Sequence, residues 1–470
     1  MKRRISFSYR LLLVSVFLGS LKAFALPNII YILADDLGYG DLGCYGQEQI
    51  KTPRLDQMAS EGLRFTEHYA GNTVCAPSRC SLLTGLHQGH ARVRGNLVTE
   101  LEADDVTLAE VLKQAGYHTG MIGKWGLGES GTPGDPLRQG FDYYFGYLNQ
   151  VHAHNHYPAW LIRNGEKVYL NNSCKFKKTE YCADIGSVAT ERNEYSQDLF
   201  TEDAIRFIDE SGEQPFFLYF ASIIPHANNE GHWAGHHGME VPDEGIYADK
   251  PWPDAERCKA AMISYLDADV GKILDHLETV GIASNTLVIF SSDNGPHSEG
   301  QIDPEFFNSN GRFKGSKRDL YEGGVRIPMI AWWPGVIAPG RETEHVSAFW
   351  DVLPTLADLT SATFGGTTDG ISFLPTLLGK PGQKNHKCLY WEFHEAKGRV
   401  AVRQGKWKAV RYHVNTDPNA PLELYDLSSD PEEQHNVASK HPEIMREMEQ
   451  VLIESRFRSD IPQYNFKMFQ

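Results

Sequence analysis

The chain reads as an α/β protein: a large, mostly parallel sheet sandwiched by helices, followed by a small C-terminal α+β subdomain containing an antiparallel sheet. Three observations carry this. Short apolar runs rich in β-branched and aromatic residues alternate with helical patterns. Polar residues stand directly after several of those runs, and from about Asn385 the pattern changes to short, closely spaced strand-like segments. Alternation of strands and helices implies a sheet covered on both faces.

In chain order, buried parallel strands are predicted at 28–34, 118–123, 215–222, 287–292 and 328–333. Helices are predicted at 107–115, with Leu108, Val111 and Leu112 on one face, and at 260–280. A short helix is expected after Cys75, with Pro77 at its first position and Gly85 closing it. Cys75 then stands at a helix N-terminus, a setting that favours anions. The segments 125–200 and 226–255 read as long insertions, which at a sheet edge shape a pocket. A Gly-, Pro- and Lys-rich stretch at 379–387 marks the boundary between a main domain, 26–384, and a subdomain, 385–470. There, strands are predicted at 389–393, 399–403 and 407–412, leading through 422–427 to a final helix from 442 to about 457.

The first 25 residues have the pattern of a secretory signal. Lys2, Arg3, Arg4 and Arg10 form a basic end, 11–21 is an apolar run, and Ala23-Phe24-Ala25 supplies small residues for cleavage. Export to the periplasm or the exterior is expected, with no membrane anchor. Residues 1–25 hold five basic residues and no acid, so the formal charge of −16 becomes −21 without them. Such a balance excludes a general affinity for nucleic acid or anionic membranes. An anion-binding site here must be a local island of positive charge. Seven cysteines are too few for a disulfide scaffold, and the near neighbours Cys174 and Cys182 are the expected pair.

The residues after the strands carry the chemistry. Asp35-Asp36, Lys124, Pro225-His226 and Asp293-Asn294 each follow or end a predicted strand. In open α/β sheets the ligand crevice lies at the carboxyl ends of strands. Three carboxylates and an amide oxygen at one edge suit a hard cation, Ca²⁺ or Mg²⁺. Either pair alone is equally well a turn or a helix cap.

Cys75-Ala76-Pro77-Ser78-Arg79, running on through Cys80 to Gly85, resembles the motif of the formylglycine-dependent sulfatases in the alkaline-phosphatase-like superfamily. The resemblance extends over nearly all of 27–450. It includes the segments 28–38, Gly123-Lys124-Trp125-Gly126-Leu127-Gly128, Pro225-His226, Ser292-Asp293-Asn294-Gly295, Lys317 with 321–326, and 423–427 with Asp430-Pro431. Within the family the chain is most similar to the arylsulfatase A and N-acetylgalactosamine-sulfatase branch, including its bacterial polysaccharide-degrading members.

This resemblance implies an enzyme that cleaves sulfuric esters. Cys75 would be oxidised by a maturation enzyme to formylglycine (3-oxoalanine), whose hydrate attacks sulfur with one hydroxyl and expels sulfate with the other. Asp35, Asp36, Asp293 and Asn294 would bind one Ca²⁺, to which the modified Cys75 also contributes. Arg79 would hold the diol, Lys124 and Lys317 would neutralise sulfate oxygens, and His226 would protonate the departing alcohol. The chain departs from the family at Gly126, where many members carry a histidine that takes the diol proton. His154, His156 and His297 are candidates to compensate, or to bind substrate. The branch, with Trp160, Trp233, His232, His236 and His237 in the insertions, points to a sulfated sugar, galactose or N-acetylgalactosamine sulfate first. A phosphomonoester or phosphodiester hydrolase on the same fold, or a non-catalytic binding homologue, is the alternative.

Overall fold

The computed structural model describes residues 26–96, 99–177, 185–417 and 419–469. The expected signal segment and Cys182 lie outside the described residues. The strands are β1 Asn28–Ala34, β2 Leu63–Tyr69, β3 His118–Lys124, β4 Tyr143–Tyr147, β5 Trp160–Arg163, β6 Glu166–Tyr169, β7 Ser173–Lys177, β8 Gly186–Glu191 and β9 Phe216–Ala221. They continue with β10 Thr286–Ser292, β11 Arg326–Trp332, β12 Arg341–Thr343, β13 Ser347–Ala348, β14 Leu389–Phe393, β15 Arg399–Gln404, β16 Trp407–Tyr412 and β17 Leu422–Asp426. The longer helices are α1 Pro53–Glu61, α2 Cys75–Thr84, α3 Leu108–Gln114, α4 Ser196–Ser211 and α5 Asp254–Thr279, with Val352–Thr360 and Pro442–Glu454 towards the C-terminus.

The main sheet runs β12-β2-β11-β10-β1-β9-β3-β4-β5-β6, with β13 also on β2. Its centre, β10-β1-β9-β3-β4, is parallel. Every residue of β1, β9 and β10 is buried, which explains their unbroken apolar runs. Period-two alternation divides β1 between two cores. Ile30, Ile32 and Ala34 pack with residues of α4 and α5 on one face. Ile29, Tyr31 and Leu33 pack with α2, α3 and the Val352–Thr360 helix on the other. A separate antiparallel sheet, β14-β15-β16-β17, follows. Tyr390, Val400, Val402 and Leu424 of this sheet pack with Met448 and Leu452 of the last long helix.

Several sequence expectations change. The strand predicted at 328–333 is antiparallel to β10, not parallel. A strand buried on both faces has the same pattern in either direction. Strand β2 is not evident in the sequence because its polar residues interrupt the apolar run, and the long insertion expected at 125–200 carries strands β4 to β8. Helix α2 begins at Cys75, so Pro77 occupies its third position. The substitution is harmless there too, because the first-turn N–H groups have no intrahelical partner. Gly85 closes the helix as expected, in the left-handed conformation at φ 69°.

Candidate active site

Sheet register brings the polar ends together. Ala34 of β1 pairs with Ser292 of β10, which sets Asp35-Asp36 beside Asp293-Asn294. On the other side Leu33 pairs with Ala221 of β9, and Ala221 with Gly123 of β3. Lys124 therefore emerges level with Ala34, one residue before Asp35. Gly123 has φ 108°, and a Cβ there would lie 1.9 Å from the Ala221 carbonyl oxygen, so only glycine allows this approach. Asp36 is itself left-handed at φ 67°, unusual for a residue with a side chain. Its N–H donates to Asp293 Oδ1 at 3.0 Å, tying the two strand ends together. Cys75, on the helix that follows β2, delivers its thiol to Asp35 Oδ1 at 3.4 Å.

Three fixed cations face three carboxylates. Arg79 Nε and Nη2 donate to Asp293 Oδ2 at 3.1 and 2.8 Å, and Nη1 donates to the Lys124 carbonyl at 2.7 Å. Lys124 Nζ donates to Asp35 Oδ2 at 2.7 Å. Lys317 Nζ donates to Asp36 Oδ2 at 2.7 Å and to His226 Nε2 at 3.2 Å. All of these side chains are buried. Burial alone would raise Asp35, but Lys124, His226 and Arg79 outweigh it and hold the carboxyl well below its usual range. Asp293 goes the other way: burial, then the Asp35 charge, push it up to about 7 despite Arg79. Burial followed by Asp35 likewise raises the Cys75 thiol well above its ordinary value.

A divalent cation fits this donor set. Asn294 Nδ2 donates to Asp36 Oδ1 at 2.7 Å and to the Gly295 carbonyl at 2.9 Å, which fixes the amide orientation. Its Oδ1 is buried without a hydrogen-bond partner among the described residues. An orphaned buried acceptor costs about 1–3 kcal/mol unless something takes it up. Asp35, Asp36, Cys75 and His226 also offer ligand atoms within 4.8 Å of one another. Hard oxygen donors in the majority suit Ca²⁺ or Mg²⁺.

His226 is the middle ring of three. His154 stacks on it at 5.0 Å and 11°, and His297 at 5.7 Å and 27°. His226 Nδ1 lies 2.7 Å from the Ala227 carbonyl, so Nδ1–H donates there and Nε2 is left to face Lys317 and Asp36. Burial, then Lys317, holds the ring neutral. The three compensating candidates therefore separate. His154 and His297 join the site, whereas His156 turns into the core against Glu240 Oε2 at 3.3 Å and Tyr195.

Four polar residues at the site went unnoticed in the sequence. Glu230 pairs with His154 at 2.9 Å, and Glu299 lies 3.3 Å from His297 and 3.8 Å from Lys317. A Cβ added to Gly126 would meet Gln150 Cγ at 2.9 Å, so Gln150 occupies the space a side chain there would need. Gln150 Nε2 lies 3.4 Å from Asn96 Oδ1, which accepts from the Ala76 N–H at 3.1 Å, beside Cys75. Asn96, Gln150 and Glu299 stand in loops and Glu230 in the 3₁₀ helix Asn229–Ala234, outside any recognisable motif, and only Glu299, close behind Asp293-Asn294, carries a positional hint. The six described cysteines form no disulfide among themselves; Cys174 is a free thiol, and its expected partner is outside the described residues.

The chain belongs to the sulfatase family: its residues 27–362 match the family model described as Sulfatase. Residues 311–458 match the N-sulphoglucosamine sulphohydrolase C-terminal model. It is similar to the N-acetylgalactosamine-6-O-sulfatase of Bacteroides thetaiotaomicron, 32% identical over 91% of this chain and 92% of that protein. It is also similar to human arylsulfatase A, 35% identical over 90% of this chain and 87% of that one. Among solved structures, Ps i-CgsB in complex with k-i-k-neocarrahexaose superposes with a TM-score of 0.75 at 26% identity, covering 91% of this chain and 92% of that chain. The protein is thus a sulfatase, an enzyme hydrolysing sulfate esters. No helix among the described residues is long and apolar enough to cross a membrane.

Proposed function

We propose that the chain is an exported carbohydrate sulfatase that works through formylglycine made from Cys75 and one Ca²⁺. The observation that carries this reading is the position of Cys75, first in a buried helix and against Asp35, inside a ring of three carboxylates and three cations. As a thiol it would be a poor nucleophile, because its surroundings keep it protonated. Oxidised by a maturation enzyme and hydrated, it would present a hydroxyl in place of a thiolate.

Asp35, Asp36, Asp293 and Asn294 Oδ1 would hold the ion. Bound there, Ca²⁺ supplies charge neutralisation for the sulfate and for the attacking oxygen. The charge balance asks for it: three carboxylates cancel Arg79, Lys124 and Lys317, so an anionic ester arriving there adds uncompensated charge. Arg79 holds Asp293 and the nucleophile in place. Lys124 and Lys317 each spend one hydrogen bond on a carboxylate and have further donors for sulfate oxygens. His226 would take a proton at Nε2 from the Lys317 ammonium that already donates to it and pass it to the sugar oxygen as its bond to sulfur breaks, leaving Lys317 neutral until it is reprotonated during sulfate release. With glycine at 126, His154 and His297 flank His226 and serve substrate binding or sulfate release.

Galactose or N-acetylgalactosamine sulfate is the substrate we favour, supported by the B. thetaiotaomicron relative named for an N-acetylgalactosamine sulfate. We read 26–384 as the catalytic unit and 385–470 as the subdomain that backs it. The test is paired kcat/KM on a panel of sugar sulfates and the matching sugar phosphates, with the Cys75 conversion quantified. Sulfate esters should be preferred by orders of magnitude. Faster phosphate hydrolysis would overturn the reading, and no turnover by fully converted protein would make the chain a binding homologue.

A further inference from the structure

One face of the β5–β6 hairpin is aromatic, basic and exposed. Trp160 pairs with Tyr169 across the strands, and Ile162 with Lys167, so these four side chains share a face. Tyr169 is 75% exposed, the highest value among the exposed large hydrophobic residues described. Phe176 of β7 is 39% exposed and stacks on Trp160 at 5.4 Å and 22°. Lys167 Nζ stands 4.2 Å from the centre of the Trp160 ring. Lys175 and Lys177, one residue before and after Phe176, are exposed and project from the opposite side of β7. No carboxylate among the described residues is in ion-pair distance of these three lysines, in a chain whose formal charge is −16.

This face is continuous with the active site. His152, buried beneath Trp160 with ring centres 4.9 Å apart and tilted by 37°, shares a 3₁₀ turn with His154, which stacks on His226. From the other side, Lys177 Nζ lies 5.7 Å from the Trp233 ring, in the 3₁₀ helix Asn229–Ala234 that follows His226.

We propose that this face docks a sulfated polysaccharide chain at sugar residues beyond the one that loses its sulfate. Tyr169 and Phe176 stack on sugar rings, Lys167 pairs with a sulfate group on the same face, and Lys175 and Lys177 pair with sulfate groups where the chain passes over the edge of β7. The inference rests on the carbohydrate-sulfatase reading above. A strongly acidic protein repels a polyanion over most of its surface, so holding one needs a local cluster of unpaired cations. Rings beside ammonium groups match the alternation of apolar sugar faces and anionic substituents along such a chain. Continuity with His226 favours a chain that runs on from the reacting sugar over an anionic membrane surface, which would not need to reach the cleft.

The test uses two full-length double variants, Tyr169→Ala/Phe176→Ala and Lys167→Glu/Lys177→Glu, each made with Cys75 intact and with Cys75→Ala. Binding is read on the Cys75→Ala background by retardation in gels containing a sulfated galactan, and separately by sedimentation with vesicles of anionic phospholipid. Turnover is read on the Cys75-intact enzyme with the galactan and with a monosaccharide sulfate. Both double variants should bind the galactan about tenfold more weakly or worse and raise its KM accordingly, while monosaccharide kcat/KM stays within about twofold. Undiminished galactan binding, equal losses on the monosaccharide, or tighter binding to vesicles than to galactan would overturn the proposal. Failure of the sulfatase reading would show differently: the converted enzyme would turn over neither sulfate ester, while the gels still report on the docking face.

Discussion

The Lys317 ammonium donates to His226 Nε2 at 3.2 Å while bonding Asp36 Oδ2 at 2.7 Å. One cation thus connects the proposed ion site to the proposed proton donor. With Nδ1–H committed to the Ala227 carbonyl, Nε2 is the only nitrogen of His226 that can exchange a proton with a ligand. Nε2 would receive its proton from the Lys317 ammonium and hand it to the leaving oxygen.

His226 should therefore matter most where the leaving alcohol is poor. His226→Ala is expected to cost about 10² to 10⁴ in kcat on a sugar sulfate and much less on an activated aryl sulfate, whose phenolate departs unaided. Equal losses on both would assign His226 to sulfate binding alone and move the search for the acid to His154 and His297.

Calcium should stabilise the fold as well as the reaction. An ion bound only by the native chain raises the unfolding temperature in proportion to the logarithm of its concentration over Kd. Added Ca²⁺ is expected to raise Tm of chelated wild-type protein, and to do so far less in Asp293→Asn and Asn294→Leu. Activity should fall by several orders of magnitude on chelation and in both variants. A Tm indifferent to Ca²⁺ together with full activity after chelation would remove the ion from the account.

Acid should unfold the protein partly through buried histidines. His68 lies among Phe65, Phe349 and Phe373, and burial, then His345, lowers its pKa to about 3. His152 is lowered to about 3 by burial, then Lys167. Both stay neutral when folded, whereas the unfolded chain takes up protons below about 6.5. Their contribution is present in full above that pH and is lost as pH falls towards 3, a few kcal/mol in order of magnitude. His68→Phe should flatten the fall of Tm between pH 6.5 and 4. An unchanged slope would place the acid sensitivity elsewhere.

The legible parts of this protein were those where one strand ends in charge. Asp35-Asp36, Lys124 and Asp293-Asn294 stand out because each follows or ends a mostly apolar, buried run, with no other Asp, Glu, Lys or Arg in any of the three strands. The C-terminal strands showed through their spacing. Strand direction did not, since a run buried on both faces has no polarity, and so β11 was read the wrong way round. Nor does sequence proximity reveal facing: after the 3₁₀ turn, His154 reaches His226 while His156, two residues on, pairs with Glu240 in the core. Gln150 and Asn96 were invisible for a different reason. Their role at Gly126 and Cys75 comes from loops meeting in space, which no local pattern records.

Everything proposed for this site depends on Cys75 becoming the nucleophile. The most direct measurement is mass spectrometry of the peptide containing Cys75, from protein made in its native host and fractionated by sulfatase activity. The cysteine peptide should be lighter by about 18 Da, and the converted fraction should rise in proportion to specific activity across the fractions. Cys75→Ala should fold with wild-type Tm yet release no sulfate. A fully active fraction carrying an unmodified Cys75 thiol would contradict that role.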